Sequence, residues 1–192
     1  VKVFDDLIPS EVSDRIEDLL LSHDFPWYLN SSVVDKNFGY NSYTKTGKSI
    51  DAPQFTHMMY SNYGGIQSQF YSIITPFIDL LGKRVGEDLK DSLVRAKANL
   101  LTRHSYPDDH YNIPHVDLAG LKSKSLLYYV NSSDGDTFIF NESEGAKSLT
   151  VKERVTPLKG RCLYFDSNLY HASSCPRIFD TRAVINFVFR VT

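Results

Sequence analysis

Ser125-Leu126-Leu127-Tyr128-Tyr129-Val130, then Asn131-Ser132-Ser133-Asp134-Gly135, then Asp136-Thr137-Phe138-Ile139-Phe140 reads as strand, turn, strand. Aromatic and branched residues suit a pleated, half-buried surface, and Asp-Gly is a turn former. The same pattern repeats on both sides. Short β-type runs cover 94–102, 113–117, 125–130, 137–140, 148–155, 161–165, 170–173 and 182–191. Asp134-Gly135, Glu144-Gly145 and Lys159-Gly160 fall between them. About eight short strands in about 100 residues point to a double-sheet jelly roll or a small barrel.

The N-terminal half reads differently. Val12, Ile16, Leu19 and Leu20 recur at helical spacing after Pro9-Ser10. A second apolar stripe over 65–81 holds Ile66, Phe70, Ile73, Ile74, Phe77 and Leu81, with Pro76 inside it to kink or split the helix. Between them, 27–63 is polar and aromatic: Trp27, Tyr28, Phe38, Tyr40, Tyr43, Tyr60 and Tyr63. Within it 54–60 reads as a strand and 37–51 as an exposed loop. Two readings of this segment stay open, a surface excursion packed on the sheet and a lid or recognition loop.

Composition narrows the class. The 192 residues fit one domain, with 1–93 as a helical and aromatic support and 94–192 as a β core. Net charge is -2 and no basic stripe exists, which disfavours a nucleic-acid partner. Cys162 and Cys175 are too few for a disulfide scaffold and read as reduced thiols of a soluble, cytoplasmic protein. No apolar run has the length of a membrane span. The chain starts at Val1 rather than Met, which leaves open whether an upstream piece is missing.

The chemistry-bearing residues come from the β half. On a strand, His115 and Asp117 in His115-Val116-Asp117 point to one face, and a third ligand can come from a distant strand. His171, on a later β-type run, is the candidate. Two histidines and one carboxylate leave three metal positions open, as in non-haem Fe(II) oxygenases. With 6 His and 17 Asp, chance gives about half an occurrence of His-x-Asp, so the motif alone decides nothing. His23, His57, His104 and His110 lack ligand-like spacing and read as surface or hydrogen-bonded histidines.

Its surroundings decide more. Tyr106-Pro107 and Tyr111 precede His115-Val116-Asp117; Leu127-Tyr128-Tyr129-Val130-Asn131 and Gly135-Asp136-Thr137-Phe138-Ile139-Phe140 follow. Then come Pro157, Gly160-Arg161 and Leu163-Tyr164-Phe165, His171, and Thr181-Arg182-Ala183-Val184-Ile185. In this order, over about 95–191, the sequence resembles the catalytic core of the Fe(II)- and 2-oxoglutarate-dependent oxygenases, most closely the prolyl-hydroxylase branch. The resemblance implies a mostly β fold, a double-stranded β-helix (cupin-like jelly roll) flanked by N-terminal helices. It implies Fe(II) on His115, Asp117 and His171, with 2-oxoglutarate and O2 as co-substrates and ascorbate as an accessory reductant. It implies that Arg182 pairs with the distal carboxylate of 2-oxoglutarate, with Tyr129 and Tyr106 as further co-substrate contacts. A guanidinium is suited to that pairing, because it binds a carboxylate through two charge-assisted bonds and stays charged when buried. Lys97 and Asn99 on the first core strand are candidates to line the pocket.

The same resemblance implies hydroxylation of an unactivated C–H bond with release of succinate and CO2, on a peptide or protein substrate, with proline as a candidate position. Free amino acids and other small metabolites stay open. An alkylated nucleobase ranks below them, because its relatives carry Arg-x-Asn-x-x-x-Arg on the last strand where this chain has Arg182-Ala183-Val184-Ile185-Asn186. A metal-binding cupin-like sensor without catalysis is the rival from another class, and it has no need of Arg182. One departure is Gly135-Asp136, where the family has two glycines. Another is the 144–147 loop, which has no counterpart and leaves the substrate open.

Overall fold

The computed structural model describes residues 1–34 and 43–191. In chain order the elements are β1 (Lys2–Phe4), α1 (Ser10–Leu20), β2 (Tyr28–Asn30), β3 (Ser49–Ile50), β4 (Gln54–Ser61) and β5 (Gly65–Ile66). A 3-10 turn (Tyr71–Ile73) leads to α2 (Thr75–Val85). Then come β6 (Leu93–Thr102), β7 (Tyr111–Asn112), β8 (Ser123–Tyr129), β9 (Thr137–Ser143), β10 (Val151–Val155), β11 (Cys162–Asp166), β12 (Leu169–Ser173) and β13 (Thr181–Arg190). Among the described residues a large antiparallel sheet runs β1-β11-β8-β13-β6-β4-β2, with β5 on β4. A smaller sheet, β10-β9-β12, faces it, and β3 pairs in parallel with β7. Two mostly antiparallel sheets with helices on one side make the expected jelly roll.

The period of two along each central strand divides core from site. On β13, Ala183, Ile185, Phe187 and Phe189 join the core beneath the helices, with Leu20, Phe77, Ile78 and Leu81. The alternate residues Arg182, Val184, Asn186 and Val188 line a cavity on the other face. β6 does the same: Ala96, Ala98 and Leu100 face the helices, while Arg95, Lys97 and Asn99 face the cavity. Tyr128 packs edge-on against Phe77 at 4.6 Å between ring centroids, so its neighbour Tyr129 points the opposite way.

Both helices form where expected, with one changed boundary. The stripe at 65–81 is not one kinked helix. Gly65–Ile66 pairs with β4, a 3-10 turn follows, and Pro76 sits in the first turn of α2. There its missing N–H has no helical partner to lose, so it starts the helix rather than bending it. Gly86, at φ 76°, closes α2 in the left-handed conformation.

The aromatic segment divides into parts. β2 and β4 extend the large sheet, and residues 43–50 run across the small-sheet side, where Thr44 donates to the carbonyl of Ala146 at 2.9 Å. The hydroxyls of Thr46 and Tyr111 add a 2.9 Å bond. Phe38 and Tyr40, with the 37–42 part of the expected exposed loop, lie outside the described residues. No helix among the described residues is long and apolar enough to cross a membrane.

Candidate metal centre

The expected strand at 113–117 is not a regular one. Pro114 cannot donate to a ladder, and only isolated bridges form, from His115 to Tyr43 and to His171. The His115–His171 bridge nevertheless carries two reciprocal N–H···O bonds of 3.0 Å. It sets the two imidazoles beside each other, at 4.6 Å between ring centroids. The N–H of Asp117 then donates to the carbonyl of Ser167 at 2.9 Å, fixing the carboxylate at the same end of the sheet. The ligand atoms of His115, Asp117 and His171 all lie within 4.8 Å of one another, the one such cluster among the described residues.

The donor set suits a metal. Nδ1 of His115 lies 3.2 Å from the carbonyl of Ile113, and Nδ1 of His171 lies 3.1 Å from that of Leu169. A carbonyl only accepts, so each Nδ1 carries the hydrogen, and in the neutral ring Nε2 is then the nitrogen with a lone pair to offer. Such a backbone bond fixes the tautomer and ring orientation of a metal-binding histidine. Asp117 is 3% exposed and held on several sides. Arg95 donates from Nη2 to Oδ1 at 2.7 Å, Ser125 donates to Oδ2 at 2.6 Å, and Asn186 donates from Nδ2 to both oxygens at 3.0 and 3.2 Å. Burial works to raise its pKa, but the neighbouring His171, Arg95 and His115 side chains and the Ser125 hydroxyl outweigh it. The carboxyl stays ionised far below neutral pH.

Burial, and then the neighbouring His171, lower the pKa of His115 from 6.5 to about 3. Between those values the unfolded chain takes up a proton that the folded chain does not. This contribution to stability is therefore complete above about pH 6.5 and is lost as pH falls through 3. Melting temperatures of the metal-free protein should fall over that window, with a shallower fall in His115→Phe.

A cavity of about 1250 Å³ opens from this cluster across the inner face of β13, β6 and β4 to Leu29 and Asn30 of β2. Arg182 lies in it, only 3% exposed. Its Nε donates to the carbonyl of Gly135 at 2.6 Å and its Nη2 to Oγ1 of Thr137 at 2.7 Å. Among the described residues no carboxylate forms an ion pair with it. Burial lowers its pKa, opposed by Tyr129, Cys175 and Asp136, yet a guanidinium remains charged. A buried cation without an anion is strongly unfavourable, and an anion entering the cavity relieves that cost.

Tyr129 donates to the same Oγ1 of Thr137 at 2.7 Å, and its ring lies 5.6 Å from the Arg182 guanidinium. Thr137 Oγ1 thus accepts two bonds, which leaves its own proton to point elsewhere. Thr137 lines the cavity and Tyr129 lies behind it. Replacing Tyr129 with Phe should weaken anion binding only about 3- to 10-fold, since one neutral hydrogen bond at the supporting position is lost. Titration calorimetry with 2-oxoglutarate checks this.

Gly135 passes closest to Arg182. A Cβ there would lie 2.6 Å from the Ser174 carbonyl oxygen and 2.9 Å from Cδ of Arg182. Gly135→Ala is therefore expected to cost about 1–3 kcal/mol of stability by overpacking, and to displace the guanidinium. Thermal melts and 2-oxoglutarate titration on one sample read both effects.

Not every residue singled out in the sequence reaches the cavity. Tyr106 is 37% exposed and stacks on His104 at 5.5 Å, outside the lining. Its loop is held outward by Asp108, which pairs with Arg177 at 2.6 Å and Arg154 at 3.2 Å. Lys97 and Asn99 line the floor. His57 is buried between the Pro26 carbonyl at 2.8 Å and the Ser68 hydroxyl at 2.7 Å, a structural position. Arg95, Ser125, Asn186 and Thr137 were missed. A usable signal existed, because Arg95, Lys97 and Asn99 occupy alternate places on a strand otherwise apolar on its other face.

No protein-family model matches the sequence, and no curated protein matches it. Solved structures do match the fold. A 2OG-Fe(II) oxygenase family oxidoreductase from Burkholderia pseudomallei aligns over 96% of this chain and 81% of its own, with TM-score 0.63 and 13% identity. A prolyl hydroxylase from Trichoplax adhaerens, in complex with a peptide fragment of the hypoxia inducible factor oxygen degradation domain, aligns over 98% and 83% with TM-score 0.60 and 14% identity. A Pseudomonas putida prolyl-4-hydroxylase aligns over 100% and 92%, with TM-score 0.54 and 12% identity.

Proposed function

With the fold of the 2-oxoglutarate–Fe(II) oxygenases as premise, we propose that this chain is a 2-oxoglutarate-dependent dioxygenase that hydroxylates a C–H bond of a peptide, prolyl residues included. The observation that carries the reading is the pairing, in one cavity, of a His-Asp-His cluster with a buried guanidinium that no carboxylate among the described residues pairs with. A metal-binding module without catalysis would gain nothing from that guanidinium.

His115, Asp117 and His171 would hold Fe(II) through two neutral imidazoles and one carboxylate. Bound iron with 2-oxoglutarate and O2 supplies the oxidative chemistry and yields succinate and CO2 with the hydroxylated product. Arg182 binds the distal carboxylate of 2-oxoglutarate, with Thr137 offering a hydroxyl proton beside it. Tyr129 acts through Thr137. Leu127 and Val184 border this end of the cavity and keep water from it. Ascorbate would serve as an accessory reductant.

The cavity supports a peptide over the alternatives. It is larger than the usual range for a small-molecule site and it is open, so a free metabolite would leave much of it unfilled. Among the described residues Tyr63 is the only Phe, Tyr or Trp in its lining, and it is mostly exposed, so a flipped base finds no such ring to stack on inside. The similar Trichoplax enzyme holds a peptide, which adds support. On this reading the chain is one oxygenase unit. Residues 1–93 back the sheet, and the stretches 29–33 and 61–63 form part of the substrate wall. Succinate formation should rise with prolyl-containing peptides over the peptide-free rate, and should not rise with free amino acids or methylated oligonucleotides. Stimulation by either of the latter alone would replace the peptide reading.

A further inference from the structure

Asp117 presents its two oxygens to different surroundings. Oδ2 lies on the side of His171, 3.5 Å from Nε2. Oδ1 is turned towards Arg95, 2.7 Å from Nη2, and takes a second bond from Asn186. Arg95 reaches this place from β6, where it stands opposite Val188 of β13, which in turn stands opposite Ser125 of β8. The row Arg95–Val188–Ser125 thus crosses the sheet beneath the carboxylate and brings one donor to each oxygen. Arg95 Nε is buried without a hydrogen-bond partner, while Nη2 is held by the carboxylate. A donor left unsatisfied is unfavourable, and here it accompanies a charge placed against a metal-binding residue.

We infer that Arg95 is a positioning residue that withholds Oδ1 of Asp117 from the metal, so that the aspartate offers one oxygen and the co-substrate's positions stay open. The inference rests on the oxygenase reading above. A carboxylate can give a metal one oxygen or two, and a second oxygen would occupy a position that a two-point chelating keto acid needs. Ser125 and Asn186 still hold the carboxylate when Arg95 is absent, so its loss frees Oδ1 without expelling Asp117 from the cluster.

The test separates metal from co-substrate. Fe(II) affinity is measured under argon by competition with a chromophoric chelator. 2-Oxoglutarate is then titrated into the Fe(II)-loaded wild type, Arg95→Met, Arg95→Gln and Arg95→Lys. The expected result for Arg95→Met and Arg95→Gln is an Fe(II) dissociation constant within about threefold of wild type, because the freed Oδ1 offsets the lost support by offering the metal a second oxygen, with 2-oxoglutarate bound about tenfold or more weakly. Arg95→Lys, which keeps the charge and one donor, should recover most of that loss, and melting temperatures of the Fe(II)-loaded proteins, in which the metal is the cationic partner of Asp117, should stay close together. Unchanged 2-oxoglutarate affinity in Arg95→Met and Arg95→Gln overturns the inference. So does a parallel loss of Fe(II) affinity and melting temperature, the signature of a merely structural arginine. A wild type that binds Fe(II) but not 2-oxoglutarate overturns the oxygenase reading, and this inference with it. A wild type that binds both leaves the variants to decide this inference alone.

Discussion

Arg182→Leu is expected to weaken 2-oxoglutarate binding by about 100- to 1000-fold while Fe(II) affinity stays within about threefold. A charge-assisted hydrogen bond contributes about 1.5–3 kcal/mol, and a guanidinium can give a carboxylate two of them in a fixed fork. Two such bonds make about 3–6 kcal/mol, and at about 1.4 kcal/mol per tenfold in affinity the lower part of that range gives the expected 100- to 1000-fold. Stability should move the other way or not at all. Without an anion, Arg182 is a buried charge whose bonds go to the Gly135 carbonyl and the Thr137 hydroxyl. Replacing it with an apolar side chain removes the desolvation cost, so the metal-free protein should melt at the same temperature or higher. Calorimetric titration and thermal melts check the two halves. A large fall in melting temperature with unchanged 2-oxoglutarate affinity would mean that Arg182 is structural.

His171→Ala is expected to remove Fe(II) binding at micromolar metal and to lower succinate formation by at least about 1000-fold. Loss of a supporting partner of a ligand typically costs about 10–100-fold, so loss of the ligand itself should exceed that. The variant should still fold. Its N–H and carbonyl, which pair with His115, belong to the backbone and survive the substitution. Asp117→Ala is the harsher change, because it strands the Arg95 charge and the Ser125 and Asn186 donors in a buried place. Metal content after dialysis against Fe(II), read beside circular dichroism, separates lost binding from lost fold.

Much of the jelly roll was legible because the alternation along β13 is strict. Ala183, Ile185, Phe187 and Phe189 occupy one face, and Arg182 stands out on the other. A period of two is a local property, and local properties can be read from a chain. The approach of His115 to Asp117 was legible for a different reason, since the two are two residues apart. Pro114 removed the regular strand that was expected there without disturbing the direction of either side chain.

What escaped reading depends on partners distant in sequence. Arg95 is an ordinary arginine until β6 lies beside β13 and brings it to a carboxylate 22 residues away. β2 is three exposed residues whose only strand signal is pairing with β4. Of the two outcomes open at Pro76, a kink or a split, the split holds, since the apolar stripe continues through the 3-10 turn into α2 and crosses two different elements. Tyr106 was expected at the co-substrate by resemblance. Pairing of Asp108 with Arg154 and Arg177 turns its loop outward instead.

Anaerobic addition of Fe(II) and 2-oxoglutarate tests the centre of this picture most directly. The expected result is a weak visible charge-transfer band that needs both additions, saturates at one 2-oxoglutarate per chain, and is absent from His115→Ala and much weakened in Arg182→Leu. A wild type without the band, together with unchanged metal content in His115→Ala, would contradict it.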